Sequence, residues 1–223
     1  MIPIVSIVGK SNTGKTTLAE RLLKELKGRG YRVAVVKHAL RELDMDRPGT
    51  DSSRLVAAGA DGLWVVATGE LFMRRPVKEA LKLEDLPYYI GPGFDIILAE
   101  GFKEASAAPR IEVHRKVIGG DLISRPEQLL AVVSDEPLKV AGPLFSWEQI
   151  GELATLIESR LLSEPKGEAV VDLFVNEHPV SLKPIMTAVL ARTVTGLISA
   201  LKGVGQPGRI SLHVRKNAGT GGI

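Results

Sequence analysis

The sequence predicts an α/β protein built on a doubly wound, mainly parallel sheet, with a small α+β unit appended at its C-terminal end. Three observations predict it. Short β-branched runs alternate with segments of helical period, a glycine-rich break joins the first run to the first amphipathic segment, and the pattern changes at SEPKGE, residues 163–168. Strands linked by helical crossovers lie parallel, and their ligands bind at the strands' C-terminal ends.

Ile2 to Val8 is β-branched and apolar, a first strand and not a signal peptide, since it has neither a basic leader nor a small-residue cleavage site. Residues 15–28 place Leu18, Leu22, Leu23 and Leu26 among charged neighbours at helical spacing, and Gly28 and Gly30 stop the helix. Tyr31 to Val36 is the next strand. KHALRELDMDRPGTDSS, residues 37–53, is polar, carries Glu42, Asp44, Asp46 and Asp51, and is broken by Pro48 and Gly49. It is expected to be a long loop at the ligand end. Serine at 52 or 53 is expected to cap a short helix to about Ala58. Segments 62–68 and 70–76 flank Gly69 as a hairpin, expected to extend the parallel sheet with an antiparallel addition. Val77 to Leu86 is expected to be a helix.

FDIILAEG (94–101), RIEVH (110–114) and LLAVVSD (129–135) are buried strands. Ser146 is expected to cap a helix over 147–162 that buries Ile150, Leu153, Ile157 and Leu161. These elements make a first domain of residues 1–164. The appended unit, 168–216, has two strands around Asn176 and Glu177, one helix over 183–203, and a third strand in RISLHVRK. NAGTGGI, 217–223, is expected to be a disordered tail.

Composition excludes several function classes. With 44% apolar and 25% charged residues and no apolar run near the roughly 18 residues of a membrane span, no membrane role is expected. The chain has no cysteine, so disulfides, thiolate zinc sites and cysteine nucleophiles are out, and the cytoplasm is the expected compartment. The net charge of +3 comes from the C-terminal part: seven Lys/Arg against three Asp/Glu follow residue 164, leaving 22 against 23 before it. No aromatic or arginine-rich stripe accompanies that excess, so nucleic-acid binding is not expected. Histidines 38, 114, 178 and 213 are scattered without ligand spacing.

Gly9 to Thr16, GKSNTGKT, fits the P-loop pattern GxxxxGK[ST]. Bare backbone N–H groups surround a phosphate there, and the following helix presents its N-terminal dipole. The expected nucleotide-binding set is Gly9, Lys10, Ser11, Asn12, Thr13, Gly14, Lys15, Thr16 and Thr17. Lys15 would reach the β- and γ-phosphates, Thr16 would hold Mg²⁺, and Thr17 would help at the α-phosphate. Phosphoryl chemistry also needs a carboxylate near the metal at the end of a buried strand. Glu100 follows the apolar run 96–99, whereas Asp95 precedes it, so Glu100 is preferred. Lys15 and Glu100 are the candidate catalytic pair, and Thr16, Glu100 and Asp46 the candidate Mg²⁺ set. Asp44 and Asp51 are alternatives for outer contacts. A lysine at the second P-loop position, here Lys10, is found in dimeric nucleotide switches, where it crosses to the partner's phosphates; an exposed lysine near phosphate is the plainer reading. No NKxD motif is present. Asp135, ending its strand, either accepts two N–H bonds from a guanine edge or opens a turn before Pro137.

VGKSNTGKTTL (8–18), VVKH (35–38), DMDRPGTDSSRLVAAGA (44–60), DIILAEGFK (95–103) and PRIEVHR (109–115) together resemble the molybdopterin-guanine dinucleotide biosynthesis protein B family. Within it, lysine often stands where this chain has Thr50. The resemblance implies a GTP-binding homodimer with weak, Mg²⁺-dependent GTP hydrolysis. Such a protein is an adaptor in molybdenum cofactor maturation that assists the guanylyltransferase joining GMP to molybdopterin, with molybdopterin itself a further candidate partner. Competing expectations are a small-molecule P-loop kinase or ligase and a dimeric ATPase switch.

Overall fold

The computed structural model describes residues 2–39, 49–77, 79–104, 108–163, 171–203, 210–212 and 214. The chain divides into two compact units, Ile2–Glu164 and Pro165–Ile223.

In the first unit the elements in order are β1 (Ile4–Val8), α1 (Lys15–Gly28), β2 (Val33–Lys37), α2 (Asp51–Ala57), β3 (Leu63–Ala67), β4 (Glu70–Arg74), α3 (Leu86–Ile90), β5 (Ile96–Glu100), β6 (Arg110–His114), β7 (Leu129–Ser134), β8 (Leu144–Phe145) and α4 (Ile150–Ile157). Six strands form one sheet in the order β2-β5-β1-β6-β7-β8, and every pairing in it is parallel. This is the α/β architecture expected from the alternation of strand and helix signals. The two-residue strand β8 is too short to have shown in the sequence pattern.

The core lies chiefly on one sheet face. Val5 and Ile7 of β1, Ile96 and Leu98 of β5, Ile111 and Val113 of β6, and Ala131 and Val133 of β7 meet Leu18, Leu22 and Leu26 of α1 and Leu153 and Ile157 of α4. Because side chains alternate along a strand, the intervening residues face the other way. There Ala99 packs with Leu83 and Leu86, while Ser6, Arg110, Glu112 and His114 make a buried polar row. Glu112 repays its burial by accepting the N–H groups of Ile123 (2.7 Å) and Ser124 (2.8 Å), which ties the segment after β6 to the sheet.

Several local expectations are corrected. The hairpin β3-β4 pairs antiparallel but forms its own two-stranded sheet. Its strands pair only with each other, across the turn at Thr68 and Gly69. The helix expected over 77–86 is replaced by a 3₁₀ turn at Leu83–Asp85 leading into α3. Pro87, which lacks an N–H, sits in the first turn of α3, where that donor is not needed. Helix α2 is capped by Thr50, whose hydroxyl accepts from the Ser53 N–H at 3.2 Å, and not by either serine. Ser146 stabilises a turn over 146–149, accepting from Glu148 N–H, and α4 begins only at Ile150 before widening into a π-helical turn over Glu158–Leu162.

In the second unit β9 (Leu173–Val175) and β10 (His178–Val180) pair across Asn176 and Glu177, both at positive φ, and α5 covers Pro184–Ser199. Residues 210–212 are not in a strand; the rest of the expected third strand, 209, 213, 215 and 216, and the tail 217–223 lie outside the described residues.

Candidate functional site

Parallel strands release their following segments at one sheet edge, so the residues after β1, β5, β6 and β7 gather there. Register sharpens this: Ile7 of β1 and Lys37 of β2 both stand opposite Glu100 on β5, and Val8 stands opposite Glu112 on β6.

The glycine-rich turn runs from the end of β1 to the start of α1. Gly9 has φ +145°, and a Cβ there would lie 2.6 Å from the Val113 carbonyl oxygen, a backbone atom that cannot step aside. Gly14 has φ +93°, and its Cβ would meet Cη2 of Trp147 at 2.8 Å. Only glycine fits either position. Inside the turn the Lys10 carbonyl accepts from Thr13 Oγ1 (3.0 Å) and from Lys15 Nζ (2.7 Å). The first turn of α1 has neither a side-chain cap nor an acidic residue. Its orphan N–H groups and positive dipole end are thus left for an external anion.

Charge in the site is arranged around Glu100. Thr16 Oγ1 lies 3.0 Å from each carboxylate oxygen of Glu100, and Lys37 Nζ lies 3.8 Å from Oε1. Burial pulls the Lys15 ammonium below its ordinary pKa; Lys103 and Lys37 add repulsion, while Glu100 opposes the shift. Three lysines around one carboxylate leave positive charge that a polyanion would relieve. Asp95 is at the opposite strand end, paired with Arg32 at 2.7 Å.

Lys10 donates to the Gly119 carbonyl at 2.8 Å, so its ammonium is held within its own chain. Ser11 and Asn12 are exposed in the turn, Asn12 at φ 62°, and Thr17 is exposed on α1. Asp51 lies in the first turn of α2, 3.6 Å from Arg54. Asp44 and Asp46 lie outside the described residues. Asp135 accepts the Lys116 N–H at 2.7 Å and lies 3.5 Å from Arg115 Nη1. The Lys116 amide, above all, holds its carboxyl below the usual range.

Four participants escaped the sequence reading: Lys37, Lys103, Arg115 and Trp147. Lys37 ends a strand at the ligand edge, a signal that was available. Trp147 had none. Its ring lies against Gly14, beneath the Arg115 guanidinium (4.6 Å to the ring centroid) and beside that of Arg21 (5.6 Å), while its carbonyl accepts from Arg21 Nη1 at 2.9 Å. That contact joins positions 133 residues apart.

Hydroxyl and carboxylate oxygens are the hard donors that Mg²⁺ takes, and magnesium bound with phosphates commonly uses one or two protein oxygens. Thr16 and Glu100 supply that set. The described residues contain no cluster of three or more His, Cys, Asp or Glu able to hold a metal by themselves.

Comparison with known proteins agrees with these features. The family model for molybdopterin guanine dinucleotide synthesis protein B matches residues 4–135. The molybdopterin-guanine dinucleotide biosynthesis adapter protein of Haemophilus influenzae is 32% identical over 165 residues, covering 72% of this chain and 90% of that protein. Its Escherichia coli counterpart is 35% identical over 167 residues, covering 70% and 92%. A crystal structure of molybdopterin-guanine biosynthesis protein B superimposes with a TM-score of 0.54 at 30% identity, covering 70% of this chain and 98% of that one.

Proposed function

The chain belongs to the MobB family of molybdopterin-guanine dinucleotide synthesis proteins, and from that premise we propose that it is a GTP-binding adaptor in the making of this cofactor. The observation that carries the reading is the uncapped start of α1 beside the Thr16–Glu100 pair, ringed by Lys15, Lys37 and Lys103. The backbone of Gly9 to Thr17 receives the phosphates, and Lys15 exchanges its bond to the Lys10 carbonyl for phosphate oxygens. Thr16 and Glu100 hold Mg²⁺, which when bound supplies charge neutralisation between phosphate oxygens. Asp46, within the acidic loop, is a further proposed metal contact. Lys15 and Glu100 remain the groups proposed to support weak hydrolysis.

An adaptor works on a partner, here the guanylyltransferase that joins GMP to molybdopterin, with molybdopterin itself within reach of the assembly. The cytoplasm is the proposed compartment, and no helix among the described residues is long and apolar enough to cross a membrane. We also propose a homodimer. The hairpin β3-β4 supports it, exposing Trp64, Val66 and Leu71 in one short stretch of the kind that a second copy would cover.

Tagged protein is expected to recover a nucleotidyltransferase from cells, and calorimetry with Mg²⁺ is expected to show GTP binding tighter than ATP. Recovery of no such partner, together with phosphorylation of a metabolite in a substrate screen, would replace the adaptor by the small-molecule kinase. Tighter ATP would remove the guanine assignment. Sedimentation of the unaltered chain as a monomer at micromolar concentration would end the homodimer proposal.

A further inference from the structure

The unit that begins at Pro165 lies beyond residues 4–135, the part matched by the family model, so family membership assigns it no task. Its helix α5 has one charged residue, Arg192, in a run that is otherwise apolar, small or hydroxyl-bearing. A helix without a charged face belongs inside a protein. Yet α5 has no buried residue, and neither has any other described position of the unit. Leu190, Val194 and Ile198, at helical spacing, are half-buried on one side. On the other side Ile185 is 70% exposed, Met186 47%, Val189 51% and Leu197 66%.

Charge and size decide what covers that stripe. From His178 to Ile223 the chain has six Lys/Arg and no Asp/Glu. Lys183 at the N-cap of α5, Arg192 three residues after Val189, and Lys202 just past the helix are all exposed, and none forms an ion pair among the described residues. Against a second copy these cations would meet only their own kind, which disfavours self-pairing. A helix lying on a membrane carries a polar face rich in Lys and Arg with Trp or Phe on the other; α5 has one Arg and no aromatic residue. The four exposed side chains offer on the order of 500 Å², against about 800 Å² per partner in a standard stable interface, which is the scale of a transient contact.

We propose that the outward face of α5 is a docking surface for an acidic protein, one that presents an apolar stripe bordered by carboxylates. The apolar stripe lies on Ile185, Met186, Val189 and Leu197, and the carboxylates pair with Lys183, Arg192 and Lys202. Burial of the stripe supplies the affinity, while the three cations, with no acidic neighbour in the sequence to compete, select the partner by charge.

The test selects a library of random peptides, 16 residues long like α5, on the full chain and counter-selects it on the full chain carrying Val189→Asp and Leu197→Asp. Both positions are exposed, so the substitutions disturb no buried contact. The recovered peptides are expected to be net negative with apolar residues at helical spacing, and to bind less tightly as salt is raised. Arg192→Glu, which leaves the apolar stripe whole, should weaken them about tenfold. Recovered peptides that are neutral or basic, that bind the Arg192→Glu chain equally well, or that do not distinguish the two baits would overturn the proposal. So would a lower oligomeric state of the doubly substituted chain in sedimentation, which would give the face to a second copy. Binding of the unaltered chain, but not of that variant, to phosphatidylserine vesicles would give it to a membrane instead. None of these measurements involves nucleotide, so their failure leaves the proposed GTP site standing.

Discussion

Lys15→Ala separates the phosphate site from the fold. In the structure the Lys15 ammonium makes one hydrogen bond, to the Lys10 carbonyl, and sits where burial, Lys103 and Lys37 all disfavour its charge. Deleting it removes repulsion and buries no new group, so stability in urea should change by no more than about 0.5 kcal/mol. Binding should change far more. A lysine reaching two phosphate oxygens makes two charge-assisted hydrogen bonds of about 1.5–3 kcal/mol each, or about 3–6 kcal/mol together. At 1.4 kcal/mol per decade that is a loss of roughly 10² to 10⁴ in affinity for Mg²⁺-GTP. Calorimetry and urea unfolding on the same preparations measure both quantities. Micromolar GTP affinity retained by a folded variant would refute the assignment of the phosphates to this turn.

Glu100→Gln keeps a hydrogen-bonding partner for Thr16 but removes the charge. Nucleotide affinity should lose most of its Mg²⁺ dependence in a titration with and without the ion, and an unchanged dependence would take Glu100 out of the metal set. Gly14→Ala forces a side chain into φ +93° and against Trp147 at 2.8 Å; the backbone term alone is about 1–3 kcal/mol, read as a lowered denaturation midpoint. A midpoint equal to that of the unaltered chain would mean that the turn is not held in this conformation. Affinity should also fall as pH rises: the lowered Lys15 pKa means that its charge is lost on a pH scale below the ordinary 10.5, and a protonated ammonium is the form that binds phosphate. An affinity flat up to that ordinary value would argue against a buried, repelled Lys15.

The sequence by itself determined the alternation that makes the sheet parallel, the glycine turn between β1 and α1, and Glu100 at a strand's C-terminal end. Each is written in contiguous residues: periodicity of two or 3.6, glycine where φ is positive, an apolar run that must be buried. What it misplaced was also local, but decided by competition among neighbours. Thr50, two residues before Ser52 and three before Ser53, is the cap of α2, and Pro87 suits the start of a helix better than its end. Only the tertiary structure decided the rest. Strand order put Lys37 beside Glu100, left β3-β4 as a separate hairpin, and laid Trp147 between Gly14 and Arg115. Such pairings depend on which strands become neighbours and in which register, and that is settled by the packing of the whole sheet against α1 and α4, a long-range outcome that no local spacing encodes.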